Sequence, residues 1–324
     1  MDSYRKHIYK NMNYLKNMNY QKGLNLVFLT AIISGFSIFL NKYGVSKVDP
    51  YFYTFLKNIS AGGMLAGIFL FFGEKSSLKN LTKKDFLRLV LIGLIGGSAA
   101  FLFFFKGLSI TTAFKGSLIH KSMFIFVAAL SFFFLKEKLK KEAVLGLIVL
   151  LSGALLFQGA RPVSLNSGDF YILIAVLLWS IEIMISKKAL KNISATLVGA
   201  SRLLIGSVFI LIFLFFAGKF HPALTLMFQN NALLWTLISG LLLALYNLTF
   251  YKGLKYLPSA VAAATLTLGL PITGILSLIF ADKAWNGEEI LGAALILAGV
   301  SLAGGLFGRI GQLITRSELK NEKI

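Results

Sequence analysis

The chain contains no cysteine, which excludes a disulfide framework and any thiolate metal site. Its three histidines, His7, His120 and His221, are scattered along 324 residues without metal-ligand spacing. No glycine-rich phosphate loop, H-E-x-x-H pair or G-x-S-x-G elbow occurs, so the sequence offers no catalytic residues and no cofactor or metal site. Charged residues make up 14% of the chain, against roughly 25% in soluble domains. No hydrophilic stretch reaches domain size, which excludes an attached nucleotide-binding domain and argues against ATP-driven transport by this chain alone.

Hydrophobic residues account for 56% of the sequence and include 30 phenylalanines. They fall into blocks of about 20, the length that crosses a bilayer as helix. Ten blocks are recognisable, near 24–41, 51–72, 86–105, 112–135, 142–159, 169–187, 196–217, 232–250, 258–281 and 288–307. Strand-like alternation is absent, and runs such as FVAALSFFFL are too long for buried strands. An outer-membrane barrel would alternate over segments of about ten residues. The expectation is an all-α membrane protein with ten transmembrane helices.

The net charge of +20 is explained by topology rather than by nucleic acid. Distributing the 33 lysines and arginines over alternating sides puts 23 on the side of both tails, 6 on the other and 4 within spans. By the positive-inside rule both termini are cytoplasmic, in a multi-pass protein of the cell membrane. The basic side also attracts anionic lipid.

The chain repeats itself. Lys106-Gly107-Leu108 returns as Lys252-Gly253-Leu254, an offset of 146 that also carries Glu142 to Glu288, Gly146 to Gly292 and Gly153 to Gly299. Two five-helix repeats follow, 24–160 and 169–307, joined by a linker over 161–168. They are flanked by basic cytoplasmic tails at 1–23 and 308–324, the first disordered or interfacial. Five is odd, so the second repeat enters the membrane with opposite orientation. Inverted repeats of this kind mark secondary transporters.

Polar residues inside the spans are candidates for the transport path. Thr30, Ser34, Ser37 and Asn41 form a stripe about 60° wide on the first span; Trp179, Glu182 and Ser186 repeat it on the sixth. Cavity lining and interhelical packing both account for such a stripe. Glu182 is the only acid deep in a span and calls for a partner. Arg202 on the next helix fits, either as a structural pair or as part of a site that takes a substrate amine or a coupling proton. Lys57, Lys115, Lys121 and Arg202 leave an excess of embedded positive charge, which favours an anionic or zwitterionic solute. Lys115 can instead snorkel to the interface. Tyr246 and Asn247 in the eighth span, with Trp179, can form an aromatic and amide wall. His120 is a second coupling candidate, with a plain hydrogen-bonding role as its alternative. Pro271 removes a backbone bond inside the ninth span and is a candidate hinge.

The ten-span, five-plus-five layout resembles the drug/metabolite transporter superfamily, specifically its EamA-type members. The resemblance rests on KGLSITTAFKGSLIHKSMFIFVAALSFFFLKEKL and its copy KGLKYLPSAVAAATLTLGLPITGILSLIFAD, on LGLIVLLSGALL and LGAALILAGVSL, and on the openings ISGFSIFLNK and LWSIEIMISK. Lys57 and Arg202 fall where the second span of such repeats often carries a basic residue. Ser34 stands where the second copy has Trp179, Phe124 near where it has Pro271, and no glutamate matches Glu137. The resemblance implies alternating-access movement of small metabolites such as amino acids or organic anions, commonly outward. A lipid or polyprenyl-phosphate flippase and a non-transporting membrane scaffold are the alternatives. Expected partners are a small-molecule solute and membrane lipid, not nucleic acid, and a homodimer stays open.

Overall fold

The computed structural model describes residues 2–46, 48–72, 78, 81–158, 165–220, 232–280 and 284–305, and among them every regular element is helical. His221, linker residues 161–164 and the tail at 308–324 lie outside the described residues.

Helix α1 runs Asp2–Val45, so helix extends back through the segment that reads in sequence as a disordered or interfacial tail. Tertiary contact explains part of this. The Tyr20 hydroxyl donates to the Gly304 carbonyl at 3.2 Å, and a Cβ on Gly23 would lie 2.9 Å from Leu257 Cγ. Helix α2, Pro50–Phe71, begins with Asp49 accepting from the Tyr51 and Phe52 amides, while Pro50 fills a first-turn position that needs no donor. Helix α3, Lys83–Leu91, passes through a π-helical stretch, Ile92–Ala99, into α4, Ala100–Ile110.

Next comes α5, Ala113–Lys121, then α6, Met123–Leu130, with a π-helical end, Ser131–Leu135. Helices α7, Lys141–Gln158; α8, Ser167–Ala189; α9, Ala195–Phe216; and α10, Ala232–Leu254 follow. The chain closes with α11, Ser259–Thr265, a 3₁₀ turn, Leu266–Leu268, and helices α12, Gly269–Phe280, and α13, Gly287–Ala303.

Eight helical stretches are long and apolar enough to cross a membrane: 17–45, 50–71, 83–110, 113–135, 167–189, 195–216, 233–254 and 259–280. The other two apolar blocks of the sequence are α7, 18 residues, and α13, 17 residues. These two pack against each other through glycines. A Cβ on Gly153 would lie 2.7 Å from the Ile296 nitrogen, and one on Gly299 2.5 Å from that of Leu150. Small residues let membrane helices approach this closely.

Packing between the halves comes in matched pairs. Helix α1 contacts α10 as α4 contacts α8; α2 contacts α10 as the π-helical stretch contacts α9; and α2 contacts α9 directly. Both fourth-position helices are interrupted at one register, since Ser122, between α5 and α6, and Leu268, in the 3₁₀ turn, are 146 apart. Different chemistry causes the two interruptions. Pro271 has no N–H to return to Thr267, and the chain tightens to 3₁₀ just before it. Pro271 therefore sits in the first turn of α12 rather than within an unbroken helix. In the first half the Ser122 hydroxyl donates to the Ile119 carbonyl at 2.7 Å, a side-chain bond that competes with the helix's own backbone bonding.

Candidate functional site

A cavity of about 60 Å³ lies where the halves meet, room for about four to six waters at the ~10–15 Å³ each requires. Helix α1 contributes Ser34, Ser37 and Asn41, α2 contributes Lys57, and α4 contributes Phe101, Phe104 and Phe105. His120 and Met123 enter from either side of the Ser122 break, Trp179 and Glu182 from α8, Arg202 from α9, and Tyr246 and Phe250 from α10. The polar stripe on α1 faces inward because its other faces carry exposed Phe28, Leu29 and Phe36, apolar surface suited to lipid.

Glu182 is the acid of this cavity, and its oxygens are already engaged. Oε1 accepts from the Ser186 hydroxyl and from the Tyr251 hydroxyl at 2.7 Å, while Oε2 faces Arg202 at 3.9 Å. Arg202 also donates to Asn247 Oδ1 at 3.0 Å and lies 5.1 Å from the Phe101 ring centre. Its Nε has no hydrogen-bond partner. Asn247 in turn donates to the Leu243 carbonyl at 2.8 Å. Thus Asn247 orients Arg202 and is not itself part of the cavity wall.

Lys57 is 1% exposed. Its ammonium sits 3.8 Å from the centre of the Phe105 ring, 5.3 Å from Phe101 and 5.9 Å from Tyr53. Tyr53 is held by its hydroxyl, 2.8 Å from Asn41 Oδ1 and 2.6 Å from Ser239 Oγ. His120 packs against Trp179 and Phe104, ring centres 5.0 and 5.3 Å away, and its Nδ1 is unpartnered. Trp179 is fixed by its indole N–H on the Gly96 carbonyl at 3.0 Å.

Lys121 takes a different place from its neighbour. Its ammonium donates to Ser34 Oγ at 2.6 Å, on the far side of the first cavity-lining serine, and Lys121 does not line the cavity. His120 and Lys121 project about 100° apart and meet different neighbours, and α5 packs against α1, α4, α8 and α12. Lys115 pairs with the start of the second half: its ammonium lies 2.7 Å from Asp169 Oδ2.

Two inter-half contacts close the ends of the bundle. At the end where α4 finishes, Asp169 accepts from the Thr111 hydroxyl at 2.9 Å and from Lys115, holding the start of α5. At the opposite end Glu137 accepts from the Ser259 amide at 2.7 Å and its hydroxyl at 3.1 Å, holding the start of α11. A helix N-terminus favours a carboxylate. Lys136 adopts a left-handed φ of 54°, which turns the chain immediately before Glu137. Each half also has an internal lysine tie. Lys42 donates to the carbonyls of Leu108 and Thr111 at 3.0 and 2.6 Å, and Lys187 to those of Leu254 and Leu257 at 2.6 and 2.5 Å. The acceptor pairs are again 146 apart.

Of the residues singled out in the sequence, the structure brings Ser37, Asn41, Lys57, Trp179, Glu182, Arg202, Tyr246 and His120 to one cavity; the sequence reading missed its aromatic wall of Phe101, Phe104 and Phe105. Their i, i+3, i+4 spacing was available as a helical face, but phenylalanine is so abundant here that the face did not stand out. Glu137, Asp169 and Tyr251 were missed as well, because each acts through a partner more than 50 residues away.

The model of the EamA-like transporter family matches the chain twice, over residues 21–158 and 166–305. Among similar proteins are two from Bacillus subtilis (strain 168), each described as an uncharacterized transporter. YetK is 25% identical over 277 residues, covering 83% of this chain and 82% of its own. YoaV is 25% identical over 286 residues, covering 86% and 95%. A solved crystal structure superposes with a TM-score of 0.69 at 18% identity, covering 89% of this chain and 98% of its own, a likeness of fold.

Proposed function

The chain belongs to the EamA-like transporter family and is a multi-pass membrane protein, and from that premise we propose that it is a secondary transporter working by alternating access. Its cargo is a small metabolite such as an amino acid or organic anion, moved outward across the cell membrane. The observation that carries this reading is the cavity lined by polar and aromatic residues of both halves. A scaffold has no use for buried charge around a cavity.

In this reading α7 and α13 are the fifth and tenth spans, and the halves 24–160 and 169–307 are inverted five-helix repeats with both termini cytoplasmic. Support comes from the tandem family match, the matched packing between halves, the interruptions at one register and the 23-to-6 distribution of basic residues. The Asp169–Lys115 and Glu137–Ser259 clasps are then the two gates. Opening one while the other holds exposes the cavity to one side at a time, with the breaks at Ser122 and before Pro271 absorbing the motion. Glu182 and His120 are the candidate groups for carrying a coupling proton.

The test is uptake into proteoliposomes of a labelled panel of amino acids and organic anions, with and without a pH gradient. Saturable uptake of a panel member is the expected result. Inserted, folded protein that moves none of the panel contradicts the proposed cargo class.

A further inference from the structure

Charge around the cavity is unevenly satisfied, and the imbalance identifies the solute. The one cavity acid, Glu182, is engaged by Ser186, Tyr251 and Arg202. Arg202 is shared between Glu182 and Asn247. Lys57 differs: among the described residues its ammonium has neither an ion-pair partner nor a hydrogen-bond acceptor, only the faces of Phe105, Phe101 and Tyr53. Ring faces attract a cation but do not replace the oxygen acceptors that its three N–H groups lose on leaving water. The ammonium of a residue 1% exposed that lines this space is therefore complementary to an anion that enters it. The unpartnered Nε of Arg202 and Nδ1 of His120 lie in the same wall.

We infer that Lys57 is the anion-binding residue of the transport site and that the cargo is a monocarboxylate with an apolar or aromatic body and no amino group. This rests on the transporter reading above and narrows its cargo class. The carboxylate supplies the acceptors that Lys57 lacks, and the body lies against Phe101, Phe104, Phe105, Trp179 and Phe250. A solute ammonium finds no free carboxylate, because Glu182 is already engaged, and it adds to the local positive charge. Amino acids are therefore poorer ligands than the matching carboxylic acids. A phosphate dianion brings more charge and more oxygens than one lysine in an aromatic wall can satisfy.

The experiment is equilibrium binding of radiolabelled phenylacetate to the purified full-length protein, with unlabelled phenylacetamide, phenethylamine and phenylalanine as competitors. The expected result is saturable phenylacetate binding, no competition by the amide or the amine, and at least tenfold weaker competition by phenylalanine. Lys57→Met should weaken binding at least tenfold without lowering the thermal unfolding midpoint, since an isolated buried charge is replaced by an apolar chain of similar length. Lys57→Arg should retain more of the binding. A merely structural lysine would instead show a lowered midpoint in Lys57→Met, with phenylacetate still bound by the folded fraction.

Equal or stronger competition by phenylalanine or by the amide overturns the inference. So does undiminished binding in folded Lys57→Met, or no phenylacetate binding at all. If phenylacetate fails to bind while the proteoliposomes accumulate an amino acid, the subsite is wrong and the transporter reading stands. If uptake also fails for the whole panel, both fall together.

Discussion

Replacing Glu182 by leucine separates a structural ion pair from a free catalytic-style carboxylate. The Arg202 and Glu182 side chains are 6% and 2% exposed, so deleting the acid leaves a guanidinium buried without its counter-charge. Breaking such a pair costs about 3–5 kcal/mol. Two features of the structure adjust that range. The 3.9 Å separation favours its lower end, because Coulomb energy falls with distance. Against this, the Tyr251 hydroxyl loses its acceptor, which adds about 1–3 kcal/mol. Glu182→Leu should therefore destabilise the folded protein by about 4–6 kcal/mol on those principles. Adding Arg202→Met removes the stranded charge and should recover about 1–3 kcal/mol as coupling energy. The assay is reversible unfolding in mixed detergent micelles of the wild type, both single variants and the double variant. A Glu182→Leu protein as stable as wild type, or a coupling energy of zero, would refute the argument. Either result would mean that Glu182 is free to take a solute amine, and the charge accounting around Lys57 would fail with it.

Other expectations concern the clasps and the close-packed helices. Asp169→Asn and Glu137→Gln should bias the cavity toward opposite faces, seen as opposite changes in side-specific thiol labelling of a Ser37→Cys reporter. Each clasp worth ~1–3 kcal/mol corresponds to a shift of about 5–150-fold, and identical responses of the two variants would count against paired gates. A Cβ on Gly97 or Gly206 would collide with the facing backbone, whereas one on Gly63 meets nothing within 4 Å. Gly97→Ala and Gly206→Ala should thus lose about 1–3 kcal/mol or more, and Gly63→Ala should be nearly silent in the same unfolding assay. Lys42→Met leaves the Leu108 and Thr111 carbonyls without their ammonium donor and should cost about 1–3 kcal/mol. Lys187→Met should behave alike through Leu254 and Leu257, and a neutral effect of both would remove the lysine ties from the account.

Much of the architecture was legible because bilayer crossing imposes a length on each apolar block and the duplicated words fix an offset. The offset of 146 even locates the two helix interruptions, although only one of them contains a proline near it. The α1 stripe was legible for a similar local reason: polar residues spaced i, i+4, i+7 and i+11 on an otherwise apolar helix can face only inward. What was not legible depends on which helices meet. Nothing local tells Lys121, bound to Ser34, from Lys57, whose neighbours are rings. Likewise, nothing local to Lys115 shows that Asp169, 54 positions on, lies beside it. The helical extension of α1 through residues 2–23 was hidden because its composition is polar and part of its support lies at Leu257 and Gly304.

Two-sided access to one cavity is the claim on which everything else depends, and the absence of native cysteine makes it directly measurable. Ser37→Cys would be the only thiol in the chain, on the cavity wall. It should be exposed in sealed membrane vesicles of defined orientation to a membrane-impermeant maleimide, applied from one face or the other. Alternating access expects labelling from both faces, with addition of a bound solute changing the two rates in opposite directions or protecting against both. Labelling confined to one face under every condition, in protein that is correctly folded and inserted, would contradict the transporter account at its centre.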